Sequence, residues 1–510
     1  MQITFDQTKN RYYFDASFED RAIPKKHGFK WCDVENRWFT DNWYVALQAY
    51  NSNSLQNCEK LENFKTNLRN SSRQTSVNSH DGYFPYQIAG IEEIVKRENI
   101  LLADEQGLGK TLQAIAYDTF YSKRCGRPLF VLVISPSSLK INWQREFLKW
   151  SNTQEVDVEV IRTGKQILDV TRTVKIINYD LLKSRLIADQ LAEYDADVVI
   201  LDEAHYLKNP TSLRTKAALK LTKKAKKTIA ITGTPVLNRP IELFPLLNAI
   251  SPETIAPYND FRKFAFHFCG AYQGKWGFVT DGATNIEELN TRLRATCMIR
   301  RLKKDVLDQL PDKMPPQIIA FEQDSATKAV VKLEKTLDIE DLKRHPEKMN
   351  IGDAAKIRHE LALAKLPKCI EFIQERLEGA TGKIVIFAHH REIILKLSDH
   401  FNHVALVMGG MSDKDKQANI DSFQNNPEID IFIGQIQAAG VGITLTAASD
   451  VIFVESSWTP GEIDQCIDRC HRIGQKNSVT STFLTVENSI EETMLKVVFD
   501  KAKIINQILK

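Results

Sequence analysis

From Tyr83 onward, short uninterrupted apolar runs alternate with segments whose apolar residues recur at helical spacing. "PLFVLVI", "VKIIN", "ADVVILD" and "KTIAIT" form one set of runs; "KIVIFA", "IDIFIG", "DVIFVE" and "STFLTV" form another. A strand that is apolar on both faces belongs in a parallel sheet covered by helices on each side. Two such sets, separated by a polar, helix-rich stretch from about 251 to 365, predict an α/β protein of two parallel-sheet lobes with helical insertions. Residues 1–50 read differently. "RYYFDASF" and "HGFKWCDVENRWFTDNW" are β-type runs broken by Asp, Asn and Gly, which predicts a small, separate, mostly β module. Residues 51–80 are rich in Asn and Ser and poor in large apolar side chains, so they read as a linker. The expected divisions are 1–50, the linker 51–80, a first lobe over 81–310 with a helical insertion from about 251, and a second lobe over 317–510.

Composition narrows the class without naming a partner. The 510 residues are 43% hydrophobic and 26% charged, as in globular proteins. A net charge of +3 gives no global attraction for a polyanion, so one would have to be held by local patches. "MQITFDQTKN" carries neither a basic n-region nor an apolar h-region, and no apolar run approaches the ~18 residues of a membrane span. The eight cysteines form no C-x-x-C pair, which argues against structural zinc and for a reducing compartment. Cys466 and Cys470, one helical turn apart, read as packing residues.

Three stretches carry candidate chemistry. "LLADEQGLGKT", ending in Gly109-Lys110-Thr111, follows a short apolar strand and opens a helix, the context of a phosphate loop. Its first glycine position is Asp104, however, and a bare GKT is a cheap match. In "VVILDEAHYLKN", Asp202 and Glu203 stand at the C-terminal end of a buried strand, where parallel sheets bind ligands. One carboxylate can hold Mg²⁺ while its neighbour orients and deprotonates water. In "QCIDRCHRIGQ", Gln465, Arg469 and Arg472 are spaced to share one helix face. Such arginines are ordinarily solvated, but across a cleft from a phosphate loop they would stabilise transition-state charge.

Taken in order, the motifs resemble those of Swi/Snf-type ATPases of helicase superfamily 2, over about residues 84–491. "YFPYQIAG" is similar to the adenine-reading segment, "DEQGLGKT" to motif I, where an acid commonly replaces the first glycine, and "VISPSSLKINWQREF" to motif Ia. "LDEAHYLKN", "TGTPVLN", "GKIVIFAHH", "GQIQAAGVGITLT" and "VESSWTPGEIDQCIDRCHRIGQ" resemble motifs II to VI. The insertion "FHFCGAYQGKWGFVTDGATNIEELNTRLRATCMIRRLKKDVLDQLPDK" resembles that of the annealing-helicase subgroup, and "HGFKWCDVENRWF" weakly resembles its substrate-recognition domain.

The resemblance implies two RecA-like lobes with ATP and Mg²⁺ between them. It implies nucleotide binding by Tyr86, Gln87, Asp104, Glu105, Gln106, Gly107, Leu108, Gly109, Lys110, Thr111 and Gly442, with Thr111 and Asp202 on the metal. Lys110, Asp202, Glu203, Gln465, Arg469 and Arg472 would carry the catalysis, and His205, Thr232 and Thr234 its coupling to motion. DNA contacts would come from Ser135, Ser137, Thr234, Asn238, Gln437, Gly440 and Trp458, mainly to the backbone and so without base specificity. The expected protein is a monomeric ATPase that translocates on double-stranded or branched DNA and anneals or remodels it. Two alternatives are a mover of DNA-bound proteins and a nucleotide-regulated DNA-binding scaffold. A bacterial or phage-infected cytoplasm is the expected setting, or the nucleus if the source is eukaryotic.

Other features stay open at this level. The aromatic and basic residues of the N-terminal module suit either a small core or a DNA-binding surface. "KKAKK" reads as a solvated face, while Arg300, Arg301, Lys303 and Lys304 suit either the ATP cleft or DNA. His389-His390 have no third metal ligand in range and read as a lobe-surface loop near DNA.

Overall fold

The apolar runs build two parallel sheets, as the computed structural model shows. It describes the whole chain except residues 54, 56, 72–81, 152, 237–238, 275–276, 308–309, 345–351, 380–381, 440–442 and 510. The first sheet has seven strands in the order Met298–Ile299, Ile100–Leu102, Lys227–Ile231, Val198–Asp202, Val131–Ser135, Val174–Asn178 and Val158–Val160. The second has six, ordered Gln317–Phe321, Thr480–Val486, Ala448–Phe453, Lys383–Ala388, Ile431–Gln435 and Val404–Val407. All pairings in both are parallel. The middle strands of the first sheet are buried at every position, because helices cover both faces. That two-sided burial is what wrote them as continuous apolar runs.

The N-terminal residues form a four-stranded antiparallel sheet, Gln2–Asp6, Arg11–Asp15, Arg37–Thr40 and Lys30–Cys32 in spatial order. Helices Trp43–Ser52 and Glu59–Asn70 pack with it. Two expectations are corrected here. Residues 59–70 are helix, not linker: Leu61 and Phe64 provide a buried stripe that the surrounding polar composition masks. The module is also not separate, since its core of Ile3, Tyr12, Phe14, Trp43 and Phe64 takes in Ala295 of the lobe 1 insertion. Trp43 Nε1 donates to the Glu253 carbonyl at 2.8 Å, and Arg292 donates to Asn42 Oδ1 at 2.6 Å. On the outer face Arg37 covers Tyr13 and Arg11 covers Phe39, with Lys30 in the same row.

The helix Ile490–Leu509 joins the lobes. Its Met494, Leu495 and Val498 belong to the core of lobe 2, whereas Ile505 and Ile508 lie in the core of lobe 1. Asn290 Nδ2 donates to the Ile508 carbonyl at 2.6 Å. Chain order placed this segment in the second lobe, but packing gives its last turns to the first. Burying each isoleucine contributes about 1.5–3 kcal/mol. Cys466 and Cys470 are buried in the lobe 2 core, as their reading as packing residues expected. Among the described residues, no helix is long and apolar enough to cross a membrane.

Candidate active site

The strand Ile100–Leu102 runs into a loop that opens the helix Lys110–Cys125. Gly107 and Gly109 sit at φ +87° and +74°, where side chains are strained, and a Cβ on Gly109 would stand 2.4 Å from Gln87 Nε2. Gln87 is held in place from both ends. Its Oε1 accepts from the Phe84 amide at 2.9 Å, and its Nε2 donates to the Leu108 carbonyl at 3.3 Å. Tyr86 is buried, and the exposed Phe84 ring stacks on it at 5.7 Å.

Asp104 answers the question its sequence position raised. Its carboxylate is fully buried and takes Arg301 Nη2 at 2.5 Å, Arg301 Nε at 2.9 Å and Gln113 Nε2 at 3.1 Å. The side chain therefore anchors the loop from beneath rather than standing free for a nucleotide. Lys110 Nζ donates to the carbonyls of Asp104 (2.7 Å) and Glu105 (3.2 Å). Burial pushes its pKa down to about 8, against the opposing pull of Glu203 and Asp104. Thr111, half-buried, follows it on the helix.

Asp202 closes the strand Val198–Asp202, with Oδ2 accepting from Trp143 Nε1 at 2.7 Å and Oδ1 from the Glu203 amide at 2.9 Å. Burial, and then the neighbouring Glu203 charge, push its pKa up to about 7. Glu203, at φ +48°, goes the other way. Burial would raise it, but the His205 hydrogen bond and charge, with Lys110 and Arg469, hold it below the usual range. From Glu203 Oε2 a relay leads outward: Thr232 Oγ1 donates to it at 3.3 Å and accepts from the Thr234 amide at 3.1 Å. His205 Nδ1 stands 3.2 Å from the same hydroxyl. Thr234 Oγ1 in turn accepts from Gln465 Nε2 of the other lobe at 2.9 Å.

Helix Pro460–Ile467 ends before the two arginines, so Arg469 and Arg472 stand on the turns beyond it rather than on one continuous helix face. Both nevertheless reach the phosphate loop. Arg469 Nη2 donates to Gln106 Oε1 at 2.6 Å, and Arg472 lies against Gly107, where a Cβ would meet its Cγ at 3.3 Å. Burial and the like charge of Arg469 push the Arg472 pKa down to about 10. Gln106 Nε2 is buried without a hydrogen-bond partner. Three partly desolvated cations and an orphan donor around a glycine loop fit a polyanion such as a triphosphate. A buried acid held as high as Asp202 lacks a full countercharge, which a divalent cation would supply.

Other expected residues divide. Ser137 and Gln437 are exposed. Ser135 is buried with its hydroxyl on the Pro136 carbonyl at 3.1 Å, because it still belongs to the strand. Trp458 is buried in the lobe 2 core with Arg358 over its ring at 5.0 Å. Neither of these two presents a side chain to DNA in this conformation. Asn238, Gly440 and Gly442 lie outside the described residues. His390 Nδ1 pairs with Glu455 Oε1 at 2.6 Å, and both histidine amides donate to Glu455 Oε2.

Sequence reasoning left out Gln113 and gave the second basic run no fixed place. Arg300 Nη1 donates to the carbonyls of Ala103 (2.7 Å) and Gly233 (3.2 Å), and Arg301 holds Asp104, so that run lies at the cleft. The first run is solvated except for Lys227, which is buried.

The SNF2-related domain model matches residues 42–352, and the helicase conserved C-terminal domain model matches residues 364–474. The SWI/SNF-related matrix-associated actin-dependent regulator of chromatin subfamily A-like protein 1 of Xenopus tropicalis is 33% identical over 438 residues, 83% of this chain and 44% of that protein. The human DNA annealing helicase and endonuclease ZRANB3 is 34% identical over 440 residues, 82% of this chain and 40% of that protein. The chain thus spans less than half the length of these curated relatives. A Sulfolobus solfataricus SWI2/SNF2 ATPase core in complex with dsDNA is 25% identical, covering 86% of this chain and 94% of that one, at a TM-score of 0.40.

Proposed function

Because the chain belongs to the SNF2-related family, we propose that it is a DNA-dependent ATPase that translocates on double-stranded or branched DNA and remodels or anneals it without reading sequence. The observation that carries this reading is the set of contacts bridging the lobes at the phosphate loop. Gln465 meets Thr234, Arg469 meets Gln106, and Arg472 rests on Gly107. A nucleotide-sensitive joint of this kind is what a two-lobed motor needs.

Lys110 and the amides of the glycine loop would take the phosphates, which requires Lys110 to leave the two carbonyls it now contacts. Gln87 and Tyr86 would border the base. Thr111 and Asp202 would hold Mg²⁺, which neutralises charge on the phosphate oxygens when bound. Arg469 and Arg472 already stand at the loop, where they would meet the charge of a bound triphosphate. Glu203, held ionised, orients and deprotonates water, and Thr232 and Thr234 pass its state to Gln465. A change in the charge that draws the arginines then changes how the lobes sit. Motion follows if DNA is bound differently by the two arrangements. The exposed Ser137 and Gln437 suit contacts to the DNA backbone.

Phosphate release measured without DNA, then with single strand, duplex and a forked junction, tests the reading, with Lys110→Ala as the blank. Strong stimulation by duplex or fork that the variant lacks is expected. No stimulation by any DNA would sink it.

A further inference from the structure

The last strand of lobe 1, Met298–Ile299, and the first of lobe 2, Gln317–Phe321, are joined by a connector that carries two lysines into the arginine-bearing turn. Lys303 is 1% exposed. Its Nζ donates to Asp468 Oδ1 at 3.0 Å and to the His471 carbonyl, and it stands 3.4 Å from His471 Nδ1. His471 Nε2 faces the Pro311 carbonyl at 2.7 Å. A carbonyl only accepts, so Nε2 carries the ring proton and Nδ1 is left to accept from Lys303. The second lysine, Lys313, donates to Asp464 Oδ1 at 3.0 Å and lies 3.6 Å from Asp468 Oδ1. At its other end, the Lys303 amide donates to Glu105 Oε2 of the phosphate loop at 2.8 Å.

Asp468 immediately precedes Arg469, and His471 immediately precedes Arg472. The connector thus grips the residue before each arginine while touching the loop those arginines serve. Glu105, Asp468 and His471 are close enough together to suggest a metal site, but the Lys303 ammonium already stands at Asp468 and His471. A buried ion pair is weak evidence for stability in itself. What this one fixes is the geometry of the turn.

We propose that Lys303 is a positioning residue: with Lys313, it holds Asp468 and His471 from the lobe connector and so sets where Arg469 and Arg472 stand against the phosphate loop. The proposal rests on the ATPase reading above. Rotation of the lobes about the connector would move these lysines and the arginine turn together, linking lobe angle to arginine placement. The pair should then govern turnover rather than nucleotide binding, since the two lysine side chains bond to Asp464, Asp468 and His471, and the Lys303 amide bond to Glu105 survives a change of side chain.

The test uses the full chain with Asp468→Asn, Lys303→Met and the double variant, measured for DNA-stimulated phosphate release and for binding of a fluorescent ATP analogue. Each single variant is expected to lower kcat by about 10- to 100-fold, with KM for ATP and analogue affinity within about threefold of the parent. The double variant should lose less than the product of the two single losses, because the two substitutions share the Lys303–Asp468 contact. Unchanged kcat in variants that melt like the parent would overturn the proposal. So would a raised KM at normal kcat, or losses that simply multiply. Asp468→Asn keeps the side chain's shape, and together with Lys313→Met it carries the test if Lys303→Met does not fold. A parent chain without DNA-stimulated hydrolysis would instead refute the ATPase reading, which separates the two failures.

Discussion

Arg469 reaches across the cleft to Gln106, its Nη2 donating to Oε1 at 2.6 Å. The arginine of one lobe therefore rests on the phosphate loop of the other, and the amide that receives it has its own nitrogen buried and unpartnered. This arrangement places the arginine for transition-state charge while giving it a neutral partner in the meantime.

Replacing Arg469 by Ala should therefore cut kcat by about a thousandfold while leaving nucleotide affinity nearly intact. Steady-state phosphate release and titration with a fluorescent ATP analogue check the two halves. A loss confined to affinity would mean that Arg469 only binds.

Asp104→Gly would make the loop match the usual phosphate-loop pattern, yet it should weaken the protein. It strips Arg301 of a fully buried carboxylate and leaves the guanidinium uncompensated, at a cost of about 3–5 kcal/mol. Denaturant unfolding followed in parent and variant measures this. An equal or higher midpoint for the variant would contradict the anchoring role.

Acid conditions should weaken the divalent-cation site. The Asp202 carboxyl, raised from 3.8 to about 7, binds a proton in the folded protein that the unfolded chain releases at lower pH. Between those values the folded state holds more protons, so this group's contribution to stability without nucleotide is full at low pH and is lost as pH rises toward 7. Cation binding needs the ionised form, so the apparent Mg²⁺ affinity should fall as pH drops below about 7. Mg²⁺ titrations of phosphate release at about pH 6 and about pH 8 would show it, and Asp202→Asn should flatten the stability slope.

Ile508→Ala changes a residue that chain order gives to lobe 2, but the damage should appear in lobe 1. A cost of about 2–5 kcal/mol is expected from the cavity. Hydrogen exchange should speed up in the helix Ile286–Thr296, which holds Ile508 through Asn290. Faster exchange limited to lobe 2 would refute the assignment.

What the chain disclosed before folding was whatever depends on neighbours in sequence. The strands were legible because full burial makes them apolar along their length, Asp202 and Glu203 because they stand at the end of such a strand, and Lys110 because it closes a glycine-bearing loop that opens a helix. The partnership of Asp104 with Arg301 was not, since a lone acid and a basic run far apart in sequence carry no sign of each other. The helix Glu59–Asn70 was readable in principle from Leu61, Phe64 and Leu68, but the Asn and Ser around it dominated the local composition. The burial of the Ser135 and Trp458 side chains was not legible, because a motif tells which residues occur, not which way the backbone turns them. The arginine spacing suggested one helix face; the turn after Ile467 brings the same side chains to the cleft by another route.

The docking of Ile505 and Ile508 bears on how the protein is made. Synthesis proceeds from the N-terminus, so the strands of lobe 1 emerge long before the two isoleucines that complete their core. Through the translation of lobe 2, that apolar seat stays unfilled. A ribosome that stalls in between holds a nascent chain with a greasy vacancy on display, the kind of surface chaperones and proteases detect. The last turns of the helix thus close a core that chain order leaves open for as long as lobe 2 is being made.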